Sequence, residues 1–237
     1  MTTRQSPLTS HPSTDQLRTP RSVLLAGASG LVGRELLAQL LADPLVEAVH
    51  ALGRRRIALK HPRLTQHVVD FQALPALPWV DEAYIALGTT IKAAGSRQAF
   101  RAVDLDAVTA VAQAAKAAGT TRLGVVSAMG ADAGSRIFYN RVKGEMEAAL
   151  AALRFESLVI ARPSLLVGDR ERLGQPARAG EAMGLKLSRW LGPLMPANYR
   201  PIEARLVARA LLQAVPHSRG LRVLPSGDMQ DHPSLRA

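Results

Sequence analysis

The chain has 237 residues, of which 47% are hydrophobic and 21% charged, a composition that is typical of a folded domain and excludes whole-length disorder, collagen-like repeats and a coiled coil. Cysteine is absent, which excludes disulfides, a thiolate nucleophile and cysteine-based metal sites. The formal charge is +11, but the basic residues are mostly scattered arginines and aromatic residues make up only 4%, so we expect composition bias plus a local anion site rather than a nucleic-acid groove.

The segment 1–20 is rich in Ser, Thr and Pro and has no apolar periodicity, so we predict a flexible tail. Its Arg and Ser content leaves an organelle transit peptide open, although its prolines would break an amphipathic helix. No apolar run approaches the roughly 20 residues that span a bilayer, and the absence of cysteine fits a reducing compartment. We therefore predict a cytoplasmic protein without a membrane segment.

From Arg21 onward, short apolar runs alternate with longer segments of helical period, which indicates βαβ units. This alternation predicts an α/β fold with a Rossmann-like, doubly wound parallel sheet of about seven strands and a ligand site beyond the carboxyl ends of the strands. The predicted strands are 22–26, 46–52, 66–70, 82–87, 122–127, 157–162 and 221–224. The predicted helices include 31–41, 100–118 and the region around 139–150.

Glycine and proline become frequent after Pro163 and interrupt two further predicted helices, 181–191 and 202–214. We predict a small C-terminal helical lobe, 168–215, folded over the open end of the sheet, where substrate selectivity usually resides. The whole of 21–237 then forms a single domain. The six histidines have no metal-ligand spacing, and we assign no metal.

The first predicted strand leads into Gly27-Ala28-Ser29-Gly30-Leu31-Val32-Gly33 and then into a helix. A tight glycine turn that opens a helix lets backbone N–H groups approach a pyrophosphate. The spacing is GxxGxxG rather than GxGxxG, and the alternative is a glycine-rich turn without a ligand.

The second predicted strand ends at Gly53-Arg54-Arg55-Arg56. A dinucleotide site for NAD would place an acidic residue here to bind the ribose 2′-hydroxyl, whereas guanidinium groups favour a 2′-phosphate. The cluster therefore predicts NADP (NADPH) as the cofactor, with NAD less favoured; the alternative is an exposed basic loop.

The motif Tyr139-Asn140-Arg141-Val142-Lys143 follows a strand that ends at Ser127. Lys143 lies on the otherwise apolar face of its helix, about 40° around the axis from Tyr139. An ammonium near a phenol favours the phenolate and so permits proton exchange, and Ser127 could hydrogen-bond a substrate oxygen. The spacing YxxxK is common by chance, but its order after the glycine turn and Ser127 indicates acid–base chemistry.

Together these motifs make the chain similar to the short-chain dehydrogenase/reductase superfamily, in its atypical Tat-interacting-protein-like and NmrA-like NAD(P)H-binding branch. The resemblance implies Ser127, Tyr139 and Lys143 as catalytic residues, although no Asn completes the usual tetrad. It implies that the glycine turn binds pyrophosphate, Arg54 and Arg55 the adenosine ribose phosphate, and Lys143 the nicotinamide ribose. The further implied cofactor contacts are Ser29, Leu31, Val32, Asp70, Phe71, Leu87, Gly88, Thr89, Arg162, Pro163 and Ser164.

The favoured function is an NADP-dependent oxidoreductase, which could be sugar-nucleotide epimerase-like, acting on an unidentified small carbonyl or sugar-type substrate. The alternative is a non-catalytic NADPH-binding redox sensor or regulator. The resemblance also implies a monomer or weak dimer.

Overall fold

The computed structural model describes residues 20–167 and 196–230. The predicted tail before Pro20 and the predicted helix 181–191 lie outside the described residues. Within them, no helix is long and apolar enough to cross a membrane.

All seven predicted strands are present and form one parallel sheet. The nine strands of the described chain are β1 Arg21–Ala26, β2 Val46–Gly53, β3 Leu64–Val68, β4 Glu82–Ile85, β5 Arg122–Val126, β6 Ser157–Arg162, β7 Leu166–Val167, β8 Ile202–Glu203 and β9 Gly220–Pro225. The large sheet has the order β3-β2-β1-β4-β5-β6-β9, and β7 pairs with β8 separately. The strand order reverses between β1 and β4, the position where doubly wound sheets open a ligand crevice.

Helices cover both faces of the sheet. They are α1 Leu31–Ala42, α2 Ile91–Ala94, α3 Arg97–Arg101, α4 Val108–Ala117, α5 Phe138–Ala152, α6 Ala204–Ala214 and α7 Ser226–Gln230, with a π-helical segment at Ala102–Ala107 and a 3₁₀ turn at Ala197–Tyr199. Helices α1 and α6 pack on one face, and α4 and α5 pack on the other. Because both faces are covered, β1 is buried continuously from Val23 to Ala26 and shows no polar alternation.

Several boundaries differ from the sequence prediction, among them the end of β4, which lies at Ile85 and not at 87. Strand β3 begins two residues before 66 and ends at Val68, because this half-exposed edge strand has a weak apolar pattern. The predicted helix 100–118 is interrupted by the π-helical segment. The helix predicted at 202–214 begins at Ala204 and packs beside α1 against the sheet, with Val207 and Leu211 fully buried. This part of the predicted lobe therefore belongs to the main helical layer.

A buried polar cluster lies at the amino ends of the central strands. The hydroxyl of Tyr84 donates a hydrogen bond to Glu82 over 2.8 Å, and Glu82 also pairs with Arg21 at 3.3 Å. Burial, followed by the charge of Glu82, raises the pKa of the Tyr84 phenol well above its ordinary value. Arg21 and Glu82 are the first residues of β1 and β4, so these charges lie at the opposite ends of the strands from the predicted ligand site, and we assign the cluster a structural role.

Candidate active site

A cleft of about 890 Å³ opens at the carboxyl ends of β1, β2, β3 and β4, and its size falls in the range of ligand sites. It brings together most of the cofactor residues that the sequence analysis named. Those that line it are Gly27, Ser29, Gly30, Arg54, Arg55, Asp70, Phe71, Leu87, Gly88 and Thr89.

The glycine turn is packed too tightly for side chains at two of its three glycines. Gly27 has a φ of +93°, and a methyl group there would lie 2.6 Å from the carbonyl oxygen of Ala86. A methyl group at Gly33 would lie 2.0 Å from the carbonyl oxygen of Gly27. At Gly30 the nearest atom would be 3.5 Å away, an ordinary contact, so packing alone does not require glycine at this position, which lines the cleft.

Helix α1 begins at this turn, and no side chain caps it at Gly30. The first N–H groups of a helix need partners, and together with the helix dipole they favour a phosphate. The glycines that line the cleft and the uncapped helix therefore fit the pyrophosphate of a dinucleotide.

Arginines line the other end of the cleft. Arg54 and Arg55 are exposed in its lining, and Arg56 and Arg34 also line the cleft. Sequence reasoning did not assign the last two, although Arg56 continues the basic run. Asp70 is exposed and accepts a hydrogen bond from the backbone N–H of Gln72. This end of the cleft is strongly positive, which fits a phosphate group.

Lys143 forms a buried ion pair. Its ammonium lies 2.7 Å from Oδ1 of Asp104, and both side chains are almost fully buried. The other oxygen of Asp104 accepts a hydrogen bond from the N–H of Thr89 over 2.8 Å. A methyl group at Gly88 would lie 3.4 Å from Asp104, so the ion pair borders the cleft wall. The sequence analysis placed the ammonium beside the phenol of Tyr139; in the structure its charge is balanced by Asp104.

Ser127 is also held by a carboxylate. Its hydroxyl donates to Oε1 of Glu147 over 2.5 Å, and both residues are buried. Arg162 binds the same carboxylate through two nitrogens, at 3.0 and 2.5 Å. This hydrogen bond to Glu147 raises the pKa of the Arg162 guanidinium. From the sequence, we expected Ser127 to hydrogen-bond a substrate oxygen and Arg162 to lie beside the nicotinamide. In the structure, both side chains bind Glu147.

Tyr139 lies half-buried in the first turn of α5, and its ring is 5.5 Å from that of Phe100. The helix places Lys143 one turn further along the same side. Tyr139, Lys143, Ser127 and Arg162 do not line the cleft, and five further implied contacts, Gly33 among them, also lie outside its lining. Leu31 and Val32 pack into the core, Pro163 is buried, and Ser164 donates a hydrogen bond to the carbonyl of Arg200.

Asp104 and Glu147 are the charged residues that sequence reasoning missed. Asp104 falls about 40° around the helix from Phe100, so a carboxylate stands on the apolar stripe of that segment. Glu147 similarly follows Lys143 on the buried face of α5. Charged residues on apolar stripes are nearly always paired, and this signal could have linked each of them to a cation. In the described chain, no cluster of three or more His, Cys, Asp or Glu could hold a metal ion.

Comparison with known proteins gives a consistent family assignment. Residues 27–189 match the family model described as NAD(P)H-binding. The rat protein HTATIP2 is 36% identical over 199 residues, covering 81% of this chain and 80% of the relative. The fmp52 protein of Emericella nidulans is 38% identical over 168 residues, covering 67% of this chain and 72% of the relative.

Solved structures show the same fold at low sequence identity. MoeE5 in complex with UDP-glucose and NAD has a TM-score of 0.65 at 18% identity and covers 86% of this chain and 75% of its own. The Bordetella bronchiseptica enzyme WbmH in complex with NAD+ has a TM-score of 0.63 at 18% identity and covers 87% of this chain and 76% of its own.

The fungal relatives correct one prediction. Those from Emericella nidulans, Eremothecium gossypii and Coccidioides immitis are all named mitochondrial, and these names overturn the cytoplasmic location. That prediction used the absence of cysteine, which does not identify one reducing compartment, and dismissed the Arg and Ser content of 1–20 that left a transit peptide open.

The glycine turn, the parallel sheet and the relatives all indicate the same family. The chain belongs to the NAD(P)H-binding family.

Proposed function

We propose that this protein is an NADP-dependent oxidoreductase that moves hydride to or from a carbonyl or carbinol carbon. The observation that carries the cofactor preference is the group of arginines at the end of β2, where an NAD site would have an acidic residue. The uncapped start of α1, in the same cleft, supports binding of the pyrophosphate.

Each residue then has a defined task, while the nicotinamide supplies hydride chemistry when bound. Arg54 and Arg55 bind the 2′-phosphate through charge-assisted hydrogen bonds. Lys143, fixed by its ion pair with Asp104, offers its ammonium N–H groups to the ribose hydroxyls. Tyr139 exchanges the proton with the substrate oxygen.

One observation favours a second candidate, an NADPH-binding sensor without turnover. Ser127 and Lys143 already have carboxylate partners inside the protein, so two of the three residues implied in catalysis are satisfied without a substrate. In a sensor, the cofactor site would be retained and Tyr139 would have no chemical task.

Calorimetric titration with NADPH, NADH, NADP and NAD tests the cofactor half of the proposal. Arg54→Ala/Arg55→Ala should weaken NADPH binding by at least about 100-fold, since the variant removes two charged hydrogen bonds of about 1.5–3 kcal/mol each and 1.4 kcal/mol is tenfold. NADH binding should change by less than about threefold.

The matched control is Arg219→Ala/Arg222→Ala, which removes the same charge from β9 and its preceding turn at the opposite edge of the sheet. It should leave NADPH affinity close to wild type. An equal loss in both double variants would mean that overall charge, not a 2′-phosphate site, attracts the cofactor.

Turnover separates the enzyme from the sensor. A panel of aldehydes, ketones and sugar nucleotides should reveal NADPH oxidation that Tyr139→Phe lowers by at least about 100-fold, a typical contribution of general acid–base catalysis. NADPH affinity should be unchanged in this variant. No turnover despite tight NADPH binding would support the sensor.

A further inference from the structure

The arginines of the cleft stand on an unusual connection. Residues 54–63 join β2 to its parallel neighbour β3 and contain no helix or strand. Parallel neighbours are usually joined by a longer crossover that packs a helix on the sheet. The segment that carries Arg54 and Arg55 therefore has no helix of its own to fix it in place.

Gln66, on the adjacent strand β3, fixes this segment through side-chain-to-backbone hydrogen bonds. Its Oε1 accepts the N–H of Ile57 over 2.8 Å. Its Nε2 donates to the carbonyl of Ile57 at 3.2 Å and to that of Leu59 at 2.8 Å. Both amide protons and the amide oxygen are used, so the orientation of the amide is determined by its partners.

The hydrogen bonds of Gln66 fix the chain directly after the arginines. Ile57 packs its side chain against the core, so the residue that follows Arg56 is fixed both by its side chain and by its two backbone hydrogen bonds. At the far end of the connection, Arg63 donates to the backbone carbonyls of Leu41, Asp43 and Val46. The connection is thus fixed on both sides by side-chain-to-backbone hydrogen bonds, and the end near the arginines depends on Gln66.

We propose that Gln66 is a positioning residue that determines the preference for NADPH over NADH by holding the arginine segment in place over the cleft. The inference rests on the proposed function, because it concerns the 2′-phosphate end of that same site. Gln66 acts through the backbone of Ile57 and Leu59, and the arginines make the phosphate contacts.

The loss of preorganisation determines how much NADPH affinity should fall when the amide of Gln66 is removed. Without the amide, the arginines remain but must be ordered when the phosphate binds, which costs affinity. We expect a loss of about tenfold for NADPH, smaller than the loss when the arginines themselves are removed. NADH has no 2′-phosphate and should bind within about twofold of wild type.

Gln66→Met tests this, because methionine keeps the length and packing of the side chain and removes the amide. The matched control is Gln39→Met on α1, where the amide makes a single 3.3 Å hydrogen bond to the carbonyl of Arg205. Calorimetry with NADPH and NADH is run on both variants, on Arg54→Ala/Arg55→Ala and on the triple variant. Thermal melts without cofactor report on the fold.

The expected result is a selective loss of NADPH affinity in Gln66→Met, no change in Gln39→Met, and no further loss when Gln66→Met is added to the arginine variant. That non-additivity identifies an effect transmitted through the arginines. Equal losses for NADPH and NADH, or no loss for either, would overturn the inference. If Arg54→Ala/Arg55→Ala is itself unselective, the proposed cofactor preference fails first; if it is selective and Gln66→Met is not, only the role of Gln66 fails.

Discussion

The glycine turn gives the sharpest prediction, because two of its glycines should respond in opposite ways to the same added methyl group. In Gly33→Ala the methyl carbon would lie 2.0 Å from the carbonyl oxygen of Gly27, whereas ordinary contact begins at 3.4 Å. The backbone must therefore separate by more than about 1 Å, a strain of the overpacking kind that costs about 3 kcal/mol. For a chain of this size we expect Tm to fall by roughly 6–12 °C.

In Gly30→Ala the methyl group would lie 3.5 Å from its nearest neighbour, and the backbone φ of −80° suits alanine. The free energy of unfolding should fall by less than about 1 kcal/mol, the cost of alanine at a helix N-cap. The methyl group would nevertheless occupy the space through which the pyrophosphate approaches the backbone. NADPH affinity should therefore fall by at least about tenfold.

Circular-dichroism melts and NADPH calorimetry distinguish the two variants. Gly134→Ala, in an exposed loop where the nearest atom would be 3.6 Å away, serves as the control and should match wild type in both assays. A wild-type Tm for Gly33→Ala would refute the packing argument. Wild-type NADPH binding by Gly30→Ala would refute the placement of the pyrophosphate on this turn.

Three further predictions concern residues outside the turn. Tyr84→Phe should lower the free energy of unfolding by about 2 kcal/mol, the contribution of a hydrogen bond to a charged group. Because the pKa of Tyr84 is raised in the folded protein, the stability of the wild type should also fall above about pH 10. Urea titrations at pH 8 and pH 10.5 check both effects. Burial and the neighbouring His67 lower the pKa of His50, so the unfolded chain binds more protons and stability should fall below about pH 6.5; an equally steep fall in His50→Asn would contradict this cause. Glu147→Gln removes the charge that Arg162 binds and should cost about 2 kcal/mol while leaving NADPH affinity unchanged, and a wild-type urea midpoint would argue against the pairing.

The sheet could be predicted from the sequence because strands that are buried on both faces appear as uninterrupted apolar runs. Strand β1 is the clear case, and the half-exposed β3 is the strand whose boundaries shifted most. The glycine turn and the arginines could also be placed, since each directly follows a strand and parallel strands end at the same edge.

The partners of Ser127 and Lys143, two of the residues proposed for catalysis, could not be predicted in the same way. The pairing of Ser127 with Glu147 depends on how α5 lies against β5, and the pairing of Lys143 with Asp104 depends on the π-helical segment that shifts the register of its helix. Local periodicity contains neither piece of information. It shows only that a charged residue lies on the buried face of a helix.

Counting donors shows what these two pairs permit. The ammonium of Lys143 has three protons, so its bond to Asp104 leaves donors for cofactor hydroxyls. The hydroxyl of Ser127 has one proton, and it is given to Glu147. Ser127 can then only accept a hydrogen bond, which suits the hydroxyl of a carbinol and leaves a carbonyl oxygen to Tyr139 alone. The turnover test should therefore include alcohols with NADP beside carbonyl compounds with NADPH, since Ser127 could accept a hydrogen bond from an alcohol hydroxyl.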